Sequence, residues 1–199
     1  MPDNCFDLAR ALNLNLHPTP DGLGITGPHD TEGGRKPKKV HTRSNVYLII
    51  KGHDAILIDS GLGKDFYIKL KKIILELDLD LKSIILTHFH YDHVGTAREL
   101  AEDFGAKILA HEKDTPYIED PVSILTYGLQ NDELEIRRRE LKDIDTPSKS
   151  GIEELYPLGL SVDRRLQGDE KLDLKEKKIN ILSTPGHTPG NISLYVEET

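Results

Sequence analysis

The segment Thr87-His88-Phe89-His90-Tyr91-Asp92-His93 sets three imidazoles and a carboxylate within six consecutive positions. It follows a short apolar run, Ile84 to Leu86. It precedes a helical pattern made by Val94, Ala97, Leu100, Ala101 and Phe104, which Gly105 is placed to stop. A chain with such a segment has to present it where a buried strand hands over to a helix. His88 and His90 are two apart, so in an extended segment they point to the same side. Asp92 and His93 fall where the chain turns into the helix and approach from a second direction, so two neighbouring metal sites can share the loop. A single loop histidine is ordinarily a solvated surface residue, but three with an aspartate at the end of a buried strand are not read that way. Zinc and similar cations favour imidazole and carboxylate ligands, and a tetrahedral catalytic site needs three protein ligands and one open position for water. His88 and His90 supply two. His187 is the natural third, because it sits in a Pro-Gly-His-Thr-Pro-Gly turn after another strand, where glycine and proline fix a tight loop able to aim one side chain. The long separation between the two turns and the single cysteine exclude a local zinc finger.

The pattern around these turns is one of strands and helices in alternation. Val46 to Ile50 and Ala55 to Ile58 are apolar runs joined by Lys51-Gly52-His53-Asp54 and predict a β-hairpin. Asp59-Ser60-Gly61-Leu62-Gly63 follows as a turn; its glycines do not make a phosphate loop. Asp65 to Leu77 has helical spacing with lysines between the apolar positions. Lys107 to Ala110, Lys178 to Leu182 and Asn191 to Val196 predict strands. This order implies a sheet covered by helices, an α/β (α+β) domain. Residues 112–160 read as mostly helical and irregular, with Asn131 placed to cap a charged helix reaching about Leu141. Residues 1–44 form a separate stretch. Leu12, Leu14 and Leu16 alternate with asparagine and predict a strand, and the Gly- and Pro-rich run from Pro18 to Pro37 predicts a flexible loop.

Composition narrows the class. With 199 residues the chain suits one compact domain. No apolar run approaches the roughly 18 to 20 residues needed to cross a bilayer. The N-terminus lacks a basic segment leading into an apolar core, so no signal peptide is expected. Cys5 stands alone, which fits a reducing compartment, and a cytoplasmic location follows by default. The formal net charge of −8 disfavours nucleic acid as a partner. The expected partner is a small-molecule substrate, with no membrane contact.

The His-x-His-x-Asp-His run resembles the signature of the metallo-β-lactamase superfamily. Asn45 to Ile50, Asp59-Ser60-Gly61 and Gly186-His187-Thr188 resemble its flanking motifs in the expected order. The resemblance covers residues 45–199 and is nearest to the glyoxalase II-like, single-domain hydrolases. It implies an αββα sandwich with metals at one edge between two sheets. It implies that His88, His90 and His187 bind a first ion, that Asp92 and His93 bind a second, and that Asp59 supports the site without binding metal. Zinc is the expected ion, one or two, with iron or manganese as alternatives. Asp92 is the expected catalytic residue, orienting or deprotonating water.

Family members continue beyond the strand ending near Val196 with a bridging aspartate and a further histidine, and no residue here takes either role. The C-terminal part of the second half is therefore expected to be missing, and a second subunit is one way to cover the exposed sheet, making a homo-oligomer. Two other functions fit the pattern. One is a mononuclear iron oxidoreductase similar to persulfide dioxygenases, since two histidines and a carboxylate suit non-haem iron. The other is an inactive metal-binding fragment. His111 is the best local substitute ligand but reads as non-ligating. His17, His29, His41 and His53 read as solvated, Arg137-Arg138-Arg139 as a solvated helix face, and Tyr117, Tyr127 and Tyr156 as packing residues.

Overall fold

The computed structural model describes residues 44–120, 123, 127 and 160–197, together with the backbone of 15–19 and 22–26. Ten strands and four helices lie in these segments. The strands are β1 (Asn15–Thr19), β2 (Gly22–Thr26), β3 (Val46–Lys51), β4 (Asp54–Ile58), β5 (Asp80–Leu86), β6 (Lys107–His111), β7 (Arg164–Leu166), β8 (Glu170–Leu174), β9 (Lys177–Ser183) and β10 (Ile192–Val196). The helices are α1 (Lys64–Glu76), α2 (Tyr91–Val94), α3 (Ala97–Phe104) and α4 (Thr115–Glu119). Strands β1 to β7 form one seven-stranded sheet in chain order, and β10-β9-β8 form a second. In the large sheet β1 to β4 are antiparallel neighbours, whereas β4, β5, β6 and β7 run parallel.

Side-chain alternation explains how the layers stack. Val46, Leu48, Leu57, Ile84, Leu86 and Ile108 point to one face of the large sheet and pack with Leu70, Ile73 and Ile74 of α1 and Leu100 of α3. Ile49, Ile56, Ile58, Ile85 and Leu109 point to the other face and meet Leu172, Leu174, Ile179, Ile181 and Ile192 of the small sheet. Successive residues facing opposite apolar layers give the nearly continuous Val/Ile/Leu runs expected of doubly covered strands. The described residues thus build helices on sheet on sheet, three of the layers of an αββα sandwich. Among them, no helix is long and apolar enough to cross a membrane.

Most predicted elements stand where the pattern puts them, and the exceptions have reasons. β5 begins at Asp80 and not at Ile84, because a register irregularity pairs Ala55 with Leu81 but Ile56 with Ser83. This slip places both Leu81 and Ile84 on the helix side and breaks the period-two signal. The expected loop from Pro18 to Pro37 is corrected in part: β1 extends to Thr19 and β2 pairs with β3. The sequence Gly22-Leu-Gly-Ile-Thr26 does alternate, but its glycines favour a loop reading by composition. Strands β7 and β8 have no counterpart in the sequence reading, although Leu172 and Leu174 alternate with charged residues. The helix expected from Asn131, together with Leu12, Leu14, His29, His41, Arg137 to Arg139 and Tyr156, lies outside the described residues.

Candidate metal centre

Four parallel strands end together at one edge of the large sheet, and the turns that leave them converge there, as at the carboxyl ends of other parallel sheets. Asp59 leaves β4 in a left-handed conformation (φ 58°), and its backbone N–H donates to the Ile85 carbonyl at 2.9 Å. Thr87 and His88 leave β5. The His187 turn joins β9 to β10 and is bound to the end of β5 by Ile192 N–H donating to the Thr87 carbonyl at 3.0 Å. This one backbone bond links the two sheets beside the histidines.

The structure brings His88, His90 and His187 together, with one nitrogen of each within 4.8 Å of the others. Their ring centroids lie 4.8 Å (His88 to His90), 4.8 Å (His88 to His187) and 4.5 Å (His90 to His187) apart. His88 is buried, His90 half-buried and His187 exposed, so the trio opens to solvent on one side. His93 lies against it, its ring 4.0 Å from that of His88. Asp92 follows, with Oδ2 3.8 Å from His93 Nε2. Asp92 and His93 therefore flank the trio as a pair.

The hydrogen bonds determine which nitrogens are free. Asp59 accepts through Oδ1 from Thr87 N–H at 2.8 Å and through Oδ2 from the Thr87 hydroxyl at 2.9 Å. Its Oδ2 also lies 2.7 Å from His93 Nδ1, which donates to it. The Thr87 hydroxyl spends its only proton on Asp59, so the contact with His88 Nδ1 at 3.0 Å requires that nitrogen to donate. His88 Nε2 then carries a lone pair. It is buried and has no hydrogen-bond partner among the described residues. An orphaned buried acceptor beside two more imidazoles is costly unless a cation uses it. The donor set fits a divalent ion, and Asp59, with both oxygens occupied, serves the ring orientations and not the ion, as acidic partners of ligating histidines do.

The charges agree with this assignment. Burial, then the neighbouring His93, His90 and His187, push the His88 pKa down to about 3. Burial and His187 lower that of His90. Both rings are thus neutral at physiological pH, the form a metal needs. For His93, burial opposes protonation, but the hydrogen bond and charge of Asp59, with the charge of Asp92, outweigh it and raise the pKa.

Other histidines are placed elsewhere. His111 spends both nitrogens on backbone, Nε2 donating to the Gln167 carbonyl at 3.1 Å and Nδ1 accepting from Lys113 N–H at 3.1 Å. His53 is exposed at the β3–β4 turn beside Asp78. Tyr117 packs on Phe89 with ring centroids 4.8 Å apart. The sequence reading did not single out Asp114, which is fully buried among the site's turns.

Residues 41–199 match the model of the metallo-beta-lactamase superfamily. The chain belongs to that superfamily. It is 34% identical over 148 residues to hydroxyacylglutathione hydrolase GloC of Haemophilus influenzae, covering 73% of this chain and 57% of that protein. It is 26% identical over 156 residues to the probable metallo-hydrolase YqgX of Bacillus subtilis, covering 78% and 62% respectively. Among solved structures it resembles BJP-1, a subclass B3 metallo-beta-lactamase of Bradyrhizobium japonicum, with TM-score 0.56 and 25% identity over 76% of this chain and 50% of that one. It also resembles the class B3 di-zinc enzyme LRA-12 from an Alaskan soil metagenome, with TM-score 0.58 and 26% identity over 76% and 50%. The chain spans between half and two thirds of the length of these superfamily relatives.

Proposed function

We propose that this chain carries the primary metal site of a metal-dependent hydrolase acting on a small-molecule ester, thioester or lactone. The observation that carries this reading is the buried, partnerless Nε2 of His88 facing two further imidazoles. Three imidazoles suit zinc, and they favour it over the two-histidine, one-carboxylate iron site of a persulfide dioxygenase, because the trio assembles without Asp92. A bound zinc ion supplies Lewis acidity and lowers the pKa of water from 15.7 to about 7.

The chain's own residues do the rest. His88, His90 and His187 hold the first ion, and Asp92 and His93 stand beside it to hold a second. Asp92, its Oδ2 3.8 Å from His93 Nε2, would orient a nucleophilic water where two ions are held, or act as its base where one is. Asp59 fixes the His93 ring directly and the His88 ring through Thr87. The relationship to a hydroxyacylglutathione hydrolase supports an acyl thioester as the first candidate substrate. Zinc-loaded protein is expected to hydrolyse a panel of acyl thioesters, and His88→Ala is expected to lose both the metal and the turnover. Unchanged metal content in His88→Ala would refute the ligand assignment. Iron with oxygen consumption in the purified protein would favour the oxidoreductase instead.

A further inference from the structure

Asp114 stands where β6 passes into α4, at the position before the first helical residue, where an aspartate ordinarily caps the helix. Its carboxylate does not do so: no side-chain cap bond forms. It turns instead toward the metal end and accepts three hydrogen bonds from two remote turns. Oδ2 accepts from Phe89 N–H at 3.2 Å and from the Thr188 hydroxyl at 2.6 Å. Oδ1 accepts from Gly190 N–H at 2.6 Å. Phe89 lies between His88 and His90, and Thr188 follows His187. Gly190 comes so close that a Cβ there would stand 2.7 Å from both the backbone N and Oδ1 of Asp114. Asp114 is itself held, since its N–H donates to the His111 carbonyl at 3.0 Å and Thr115 Oγ1 donates to the same carbonyl at 3.0 Å.

We propose that Asp114 is the positioning residue that locks the two histidine-bearing turns against each other and thereby sets the affinity of the three-imidazole site. The inference rests on the metal-centre reading above. A carboxylate only accepts, and all three groups facing this one donate. An amide cannot replace it. Whichever way the side chain introduced by Asp114→Asn is oriented, its NH2 meets the Gly190 N–H or the Phe89 N–H, so one turn is released.

The test uses full-length wild type, Asp114→Asn, Thr188→Val and, as a control for the site, His88→Ala. Zinc affinity is read by competition with a chromogenic chelator, and the unfolding midpoint of each chelator-treated protein is read alongside. Asp114→Asn is expected to weaken zinc binding about ten- to hundred-fold. Thr188→Val, which removes one of the three donors and keeps the volume, is expected to weaken it less. Both are expected to reach wild-type stoichiometry when zinc is in excess, because the ligands remain. A lowered midpoint with unchanged zinc affinity would overturn the proposal by showing a purely structural role. If Asp114→Asn does not fold, unchanged affinity in Thr188→Val overturns it equally. Wild type that binds zinc no better than His88→Ala is a separate outcome, which refutes the metal site itself and this inference with it.

Discussion

The two sheets are fastened to each other at both ends, by different chemistry. At the metal end the fasteners are directional bonds to buried or half-buried acceptors: Ile192 N–H to the Thr87 carbonyl, and Thr188 and Gly190 to Asp114. At the far end the β3–β4 hairpin meets the β8–β9 turn through ion pairs, Lys51 with Glu176 at 2.8 Å and Lys175 with Asp54 at 3.0 Å. Glu176 and Lys175 are mostly exposed there, and water screens such pairs. The two histidine-bearing turns therefore occupy the end that directional, buried bonds hold. The exposed ion pairs at the opposite end contribute little to holding the sheets together.

Four substitutions or conditions test this contrast. Gly190→Ala should have the largest effect, because its methyl meets Asp114 backbone as well as side chain. A loss of about 1–3 kcal/mol in unfolding free energy is expected by denaturant titration, with weaker metal uptake. Asp59→Asn comes next. Asparagine accepts a left-handed backbone, so the turn should survive, but an amide cannot receive all three of Thr87 N–H, Thr87 hydroxyl and His93 Nδ1–H. A fall in metal affinity of about ten- to hundred-fold is expected by calorimetry.

Acidification should come third. His88 and His90 hold protons less tightly in the folded protein than in the unfolded chain. The unfolded chain therefore binds more protons between the ordinary histidine pKa and that of folded His88, about 3. Stability of the metal-free protein should fall as pH drops through this window, by at most about 1.4 kcal/mol per pH unit for each ring. His93 has the opposite sign, and its contribution is present at low pH and lost as pH rises above the ordinary histidine value. Thermal melts in chelator across the acid range would reveal the His88 and His90 term, and a flat profile would contradict it. Lys51→Ala should do least, staying within about 0.5 kcal/mol of wild type at physiological salt.

The metal end was the more legible in sequence. The histidines announce themselves because their chemistry is dense and local, and the strand before them is a pure apolar run. The hairpin β3–β4, helix α1 and strands β6, β9 and β10 follow from periodicity alone. What escaped is what depends on distance along the chain. Asp114 looks like any aspartate after a strand, since its partners Phe89 and Gly190 are far away in sequence and two of its three bonds come from backbone N–H groups. Strand β7 is too short and too charged to show alternation, and it forms because β6 offers a parallel edge. The slip in β5 hid half of a strand whose other half was plain.

The left-handed turn at Asp59 narrows what evolution can write there. Most side chains are strained in that backbone conformation, which glycine, asparagine and aspartate tolerate best. Of these three, aspartate alone also brings two acceptor oxygens to Thr87 and His93. A saturation library at this codon, selected for folding, should return a handful of residues; selected for metal retention, it should return one.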